Sequence, residues 1–224
     1  MYRKKTLQPY ERHLSNINIL DAISYKEGNH DSFKIDLSSM NKNFNQIFDE
    51  YSRAKEQNML IQIEYSTIFE YLTLLEFICK ELNILNENAI VYLAAAVSDF
   101  YLPRRLMPKH KIQSGQGDLK LELKPVPKLL GKLKFEWCPK AYVISFKLET
   151  DENLLVSKSL KALDKYKHNL VIANILETRK NQVIVIESEQ KKQIIRLDER
   201  EENYEIEVEL IKYIMNLHNS YSNK

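Results

Sequence analysis

The sequence predicts an α/β fold: a Rossmann-like, mainly parallel sheet with helices on both faces, extended by a C-terminal β-hairpin and helix. Two observations lead there. Three short apolar runs, Ala89–Ala96 (AIVYLAAA), Ala141–Phe146 (AYVISF) and Asn169–Ala173 (NLVIA), are continuous rather than alternating, as in strands covered on both faces. Segments with helical spacing separate them, and strand–helix alternation is the pattern of parallel sheets. At 224 residues the chain is long enough for a substantial core, and it reads as a single domain over 1–224.

Residues 1–40 are polar and irregular, with an apolar patch at 17–23. Phe44, Ile47, Phe48 and Tyr51 recur at helical spacing and predict a helix near 41–57. Leu60, Ile61, Ile63 and Tyr65 predict a short strand. Ser66 or Thr67 then caps a helix to about residue 83, with Phe69, Leu72, Leu75 and Phe77 on its apolar side. After the run at 89–96, Pro103 and Pro108 punctuate a loop, and 113–118 (QSGQGD) reads as a glycine-bearing turn. Leu119, Leu121 and Leu123 alternate with charged residues and predict a half-exposed strand. Pro127 predicts the first position of a short helix. A helix over 152–166, a hairpin of 182–186 with 193–197, and an amphipathic helix over 204–217 complete the chain.

Bulk chemistry narrows the function classes. Lys+Arg number 33 against 31 Asp+Glu, a balance of +2 that gives no general reason to expect nucleic acid or an anionic membrane as partner. No run of 18 apolar residues occurs, so no membrane span is expected. The start, MYRKKTLQPYERH, lacks the apolar stretch of a secretory signal, and a cytoplasmic location follows. Cys79 and Cys138 are the only cysteines, too few for a disulfide framework or a metal site; both read as packing residues. The four glycines (28, 115, 117 and 131) form neither a G-x-G-x-x-G fingerprint nor a P-loop. A nucleotide enzyme built on this chain would bring its phosphate-binding turn from elsewhere. A dinucleotide-dependent oxidoreductase has no motif to support it.

In an open parallel sheet, ligands bind outside the carboxyl ends of the strands. Three predicted strand ends carry unusual residues: Ala94–Phe100 (AAAVSDF), Ser145–Thr150 (SFKLET) and Ala173–Glu177 (ANILE). Small side chains let a ligand approach the backbone, and Asp99 would emerge beside it. Tight helix packing for the alanines, a helix N-cap for Asp99, a core place for Phe146 and a turn for Asn174 are the competing readings. The residues alone therefore point to a small-molecule site at the sheet's C-terminal edge.

The same segments carry a resemblance. AAAVSDF, then MPKHKIQS at 107–114, LKPVPKLL at 123–130, ISFKLET at 144–150 and VIANILE at 171–177 together resemble the phosphopantothenate–cysteine ligases of monofunctional eukaryotic type. YRKKTLQPY at 2–10, IEYSTIFEYLTLL at 63–75 and LKALDKY at 160–166 extend the likeness over nearly the whole chain. The resemblance implies coenzyme A biosynthesis and an amide-forming ligation of 4′-phosphopantothenate to L-cysteine. The substrate carboxylate attacks the α-phosphate of ATP (CTP in bacterial relatives), with Mg2+, to give an acyl-adenylate and pyrophosphate. The cysteine amine then displaces AMP to form 4′-phosphopantothenoylcysteine. It also implies a homodimer.

By position, the resemblance assigns Ala95 and Ala96 to the nucleotide and acyl-nucleotide, Asp99 to a hydrogen bond in the same pocket, and Lys111 to acyl-nucleotide formation. Residues 113–118 match a flap over the intermediate. Pro127, Lys128, Leu129 and Leu130 match a helix start near the ligand, Phe146 a residue packed by the nucleotide, and Asn174 a strand-end asparagine. Two lysines of bacterial members fall here on Ala162 and Tyr166, beside Lys161 and Lys165. No protein metal ligand is assigned. The family's opening strand, glycine-rich turn, helix and asparagine loop have no counterpart here, which makes the 1–224 domain an incomplete one. A fragment of a working ligase is the expectation. A chain completed by a separate N-terminal polypeptide, or a non-catalytic or regulatory relative that binds a partner chain, are the alternatives.

Overall fold

The computed structural model describes residues 23–26, 29–35, 44–110, 112, 119–197 and 205–223. The chain divides into two compact units, 1–64 and 65–224. In the first, β1 (Ile23–Lys26) pairs antiparallel with β2 (Asn29–Ile35), with a register shift between Tyr25 and Lys26. The helix α1 (Phe44–Glu56) lies within the span predicted for it and buries Ala54.

The second unit opens with α2 (Ile68–Leu82). Its start is set by local chemistry. Thr67 accepts from the Glu70 backbone N–H while the Glu70 carboxylate accepts from the Thr67 N–H, a reciprocal capping box. A 3-10 turn over 83–88 leads into β3 (Ile90–Leu93). The short strands β4 (Phe100–Tyr101) and β5 (Lys124–Pro125) pair with each other. The helical turn α3 (Leu130–Lys132) continues as a π-turn over 133–137. Then come β6 (Tyr142–Glu149), α4 (Glu152–Tyr166), β7 (Leu170–Ile175), β8 (Gln182–Ile186), β9 (Lys192–Arg196) and α5 (Ile206–Ser222).

The main sheet has the order β3-β6-β7-β8-β9. β3, β6 and β7 are parallel; β8 and β9 continue the sheet as an antiparallel hairpin, so the sheet is mixed. Helices cover both faces. Ile144, Leu170, Ile172, Val183 and Val185 pack against Ile206, Leu210 and Ile214 of α5. On the other face Val91 and Val143 pack with Cys79 of α2 and with Leu133 and Trp137, while Val171, Ala173 and Ile184 pack with Leu155 and Leu163 of α4. Each such side chain contributes about 1.5–3 kcal/mol by leaving water.

Asp151 caps α4 by accepting from the Asn153 N–H at 2.8 Å. At the other end Lys167 adopts the left-handed conformation (φ 51°, ψ 26°), and its N–H donates to the Leu163 carbonyl at 2.8 Å. This turn reverses the chain and delivers His168 and Asn169 under the sheet. Asn169 Oδ1 accepts from the Val143 N–H at 2.9 Å and from Lys134 Nζ at 3.2 Å.

Several expectations are corrected. Residues 60–65 form no strand: Ile61 and Ile63 are exposed, and the segment has no ladder partner among the described residues. Residues 119–123 also form no strand, with Leu119, Leu121 and Leu123 each about half exposed; pairing begins only at Lys124. The run 89–96 is a strand only to Leu93, and it is not buried on both faces: Tyr92 is exposed, and among the described residues β3 lies at the sheet's edge. Pro127 does not start a helix. The Val126 N–H donates to the Asp99 carbonyl at 2.8 Å, and the helical turn begins only at Leu130, after Leu129. The terminal helix runs further than predicted, to Ser222.

Candidate active site

β3 ends at Leu93, opposite Ser145, while β6 runs on to Glu149. That mismatch leaves β6 beyond Ser145 without a strand neighbour on that side among the described residues. A cavity of about 370 Å³ lies there, between the N-terminal half of α2 and the middle of α4. Its rim is the chain leaving β3 (Ala95, Val97, Ser98, Asp99) and the segment entering α3 (Val126–Leu130). The floor is Ser145, Phe146 and Lys147, and Ser159, Ala162 and Tyr166 of α4 close one side.

Ala95, Asp99, Pro127, Lys128, Leu129, Leu130 and Phe146 are thus brought together in one wall. Ala96 lies one residue off it on the same exposed loop. Phe146 is 38% exposed, so it is not a core residue. No helix follows Asp99, which is therefore not a helix cap. Instead its carboxylate accepts a hydrogen bond from Lys128 Nζ. That bond and the ammonium charge hold the Asp99 carboxyl below the usual range, with Lys147 adding in the same direction. Asn174 lies outside the wall. It sits within β7 opposite Leu148, is only 6% exposed, and its Oδ1 has no hydrogen-bond partner. It is a strand residue and not a turn. Lys111 and 113–118 lie outside the described residues.

The structure adds groups that sequence reasoning did not single out. Lys147 lies in the floor and is 3.3 Å from Glu149, which also binds Lys158 at 2.9 Å. Ser145 Oγ is 2.8 Å from His168 Nε2. Burial first, and then the nearby Lys134 charge, push the His168 imidazole down to about 4. Lys134 is itself held by the Ala141 carbonyl at 3.0 Å, and burial lowers its own pKa. Tyr71 and Tyr166 complete the aromatic part of the wall. With its small rim residues, three aromatic residues and two lysines, each paired with a carboxylate, this cavity can take a small molecule that competes for the lysines.

Known proteins resemble this chain over most of its length. The family model described as DNA/pantothenate metabolism flavoprotein C-terminal domain matches residues 67–216. Phosphopantothenate--cysteine ligase 1 of Arabidopsis thaliana is 38% identical over 221 residues, covering 99% of this chain and 68% of the relative. The chain belongs to the phosphopantothenate–cysteine ligase family. Phosphopantothenate--cysteine ligase 1 of Oryza sativa subsp. japonica is 42% identical over 172 residues, or 77% of this chain and 53% of the relative. The chain thus spans about half the length of that family member. A solved Cab2 variant in complex with phosphopantothenate-cysteine superposes with a TM-score of 0.83 at 38% identity, covering 98% of this chain and 71% of that one. The matched part of that chain therefore shares this fold.

Proposed function

We propose that this chain forms the nucleotide- and acyl-handling part of a phosphopantothenate–cysteine ligase of coenzyme A biosynthesis. The substrates are ATP, 4′-phosphopantothenate and L-cysteine. The observation that carries the reading is the cavity over β6, where Ala95, Asp99, Lys128 and Phe146 share one wall in a chain of this family.

The volume of about 370 Å³ falls in the range of small-molecule sites. The family resemblance gives Phe146, which lines the floor and is 38% exposed, to the nucleotide, and Ala95 lets the ligand approach the backbone. Lys128 and Lys147 supply positive charge for phosphate or carboxylate oxygens. Magnesium enters on the triphosphate, with phosphate oxygens as its main ligands. Among the described residues of the wall Asp99 is the one carboxylate, and Lys128 neutralises it in the absence of ligand. A triphosphate arriving here competes for Lys128 and releases Asp99 to hydrogen-bond the nucleotide or an incoming amine.

In the first step the phosphopantothenate carboxylate attacks the α-phosphate and pyrophosphate leaves. Negative charge builds on the phosphoryl oxygens, and the Lys111 ammonium is assigned to oppose it. In the second step the cysteine amine attacks the acyl carbon of the acyl-adenylate, and AMP leaves. Asn174, whose amide oxygen has no partner, belongs to the same reading as a polar group held at the end of β7. A homodimer is part of it too. Phe69 and Phe77, both exposed on α2, supply apolar surface for a second copy.

The test is pyrophosphate release from ATP and Mg2+, with CTP as a parallel arm. It is run with the chain alone and with the N-terminal part of a relative added as a separate polypeptide. Release that requires 4′-phosphopantothenate and is lost in Lys111→Ala is the expected result. No dependence on 4′-phosphopantothenate in either format overturns the reading and leaves a non-catalytic, partner-binding relative.

A further inference from the structure

Ser145 in the cavity floor is paired with a buried histidine behind it, and the ligation reading leaves that pair without a role. Ser145 Oγ lies 2.8 Å from His168 Nε2, and the structure gives this hydroxyl no second partner among the described residues. His168 is 6% exposed, and its Nδ1 is buried without a hydrogen-bond partner. These facts decide where the protons go. A proton on Nδ1 would bury an N–H with no acceptor. A proton on Nε2 leaves only a bare lone pair on Nδ1, and buried acceptors go unpaired more readily than buried N–H donors. The Nε2–H tautomer is therefore favoured, since the hydrogen bonding of one ring nitrogen sets the state of the other. In that tautomer Nε2–H donates to Ser145 Oγ. The serine proton must then be donated elsewhere, and the open direction is the cavity that Ser145 lines. Burial and Lys134 keep the ring neutral, so the arrangement is not reversed near neutral pH.

We propose that His168 fixes Ser145 as a one-way hydrogen-bond donor into the cavity, where it selects an oxygen acceptor on the bound ligand beside Phe146. Ser145 is the binding group and His168 is a positioning residue. The acceptor is a phosphate, carboxylate or hydroxyl oxygen. The proposal rests on the ligase reading only in taking this cavity as the ligand site.

Two measurements on the 224-residue chain test it. The first uses no ligand: ¹⁵N shifts of the His168 ring, assigned by comparison with His168→Gln, report the tautomer. A protonated Nε2 with a bare Nδ1 is expected, and a protonated Nδ1 overturns the proposal. The second is calorimetric titration with ATP, AMP and 4′-phosphopantothenate separately. Ser145→Ala weakens the ligand that supplies the acceptor by about three- to tenfold, the ratio expected for one hydrogen bond. Ser145→Thr, which keeps the hydroxyl, restores it. His168→Gln, whose amide N–H can replace Nε2–H, stays within about twofold, while His168→Leu weakens binding as Ser145→Ala does and adds nothing to it in the double variant. ATP weakened alone places the acceptor on the triphosphate, AMP and ATP together place it on the nucleoside monophosphate part, and 4′-phosphopantothenate alone on that substrate. Unchanged affinity of Ser145→Ala for every ligand the wild type binds overturns the donor assignment. If the wild type binds none of the three, the ligase reading of the cavity fails, and the tautomer measurement still decides the geometry of the pair.

Discussion

Lys128 donates a hydrogen bond to the carboxylate of Asp99, twenty-nine residues earlier, and so ties the loop leaving β3 to the segment entering α3. Both side chains are exposed, at 60% and 71%. A pair in that setting is worth little to stability, roughly 0.2–1 kcal/mol, so its weight falls on the ligand.

Lys128→Ala is expected to raise the Asp99 carboxyl back toward the ordinary aspartate range, read by NMR titration. The sign follows from a lowered native value. The pair's small contribution is complete above the unfolded value and is lost as pH falls through the native one. The variant's unfolding free energy at pH 7 should differ by less than about 1 kcal/mol, while nucleotide affinity falls more steeply.

Ala95→Leu is expected to separate binding from folding. Ala95 is exposed on the cavity rim, so added bulk meets ligand and not core. Melting temperature should hold within about 2 °C, because surface changes stay within about 0.5 kcal/mol, and calorimetry should show ATP affinity down about tenfold or more.

His168 makes the fold acid-sensitive. Its imidazole is held at about 4 in the native state, against about 6.5 unfolded. Between these values the unfolded chain binds more protons, so stability rises with pH through this window and falls as the solution is acidified. Urea unfolding should show a loss on the order of 2 kcal/mol from pH 7.5 to pH 5. His168→Gln should remove that component of the slope.

Thr67→Ala should cost about 1 kcal/mol, since it deletes one half of the capping box at the start of α2. Urea unfolding at pH 7 measures it directly.

Cys79 and Cys138 are both buried, and burial pushes the Cys79 thiol up to about 12. In native protein at pH 8 neither should react with a thiol reagent on a timescale of minutes. Both should react at once in denaturant.

What could be read from the sequence was local chemistry and continuous apolarity. Thr67 marks the start of α2 because capping depends on a few neighbouring residues. Runs such as that of β7 are buried whichever strands flank them. The alternation at 119–123 and 60–65 looked like strand because period alone does not reveal whether a neighbour is there to pair. Pro127 misled for a similar reason: the residue before it is bonded to Asp99, a contact on the cavity's rim between segments far apart in sequence. In the site, Ala95, Asp99, Lys128 and Phe146 were reachable because motif resemblance marked them. Ser145 and His168, twenty-three residues apart, become partners only once β6 and β7 align. A serine in a strand and a histidine after a helix carry no signal of that meeting.

The left-handed turn at Lys167 has a consequence for how this chain can vary. Such a backbone state is comfortable for glycine and tolerable for asparagine, and it is strained for a branched side chain. The residue makes no contribution to the cavity wall. Yet it sets where the following imidazole arrives, and with it which way a hydroxyl on the neighbouring strand points. Drift at this surface lysine is thus expected to be felt as altered ligand preference, although its side chain lines no part of the cavity.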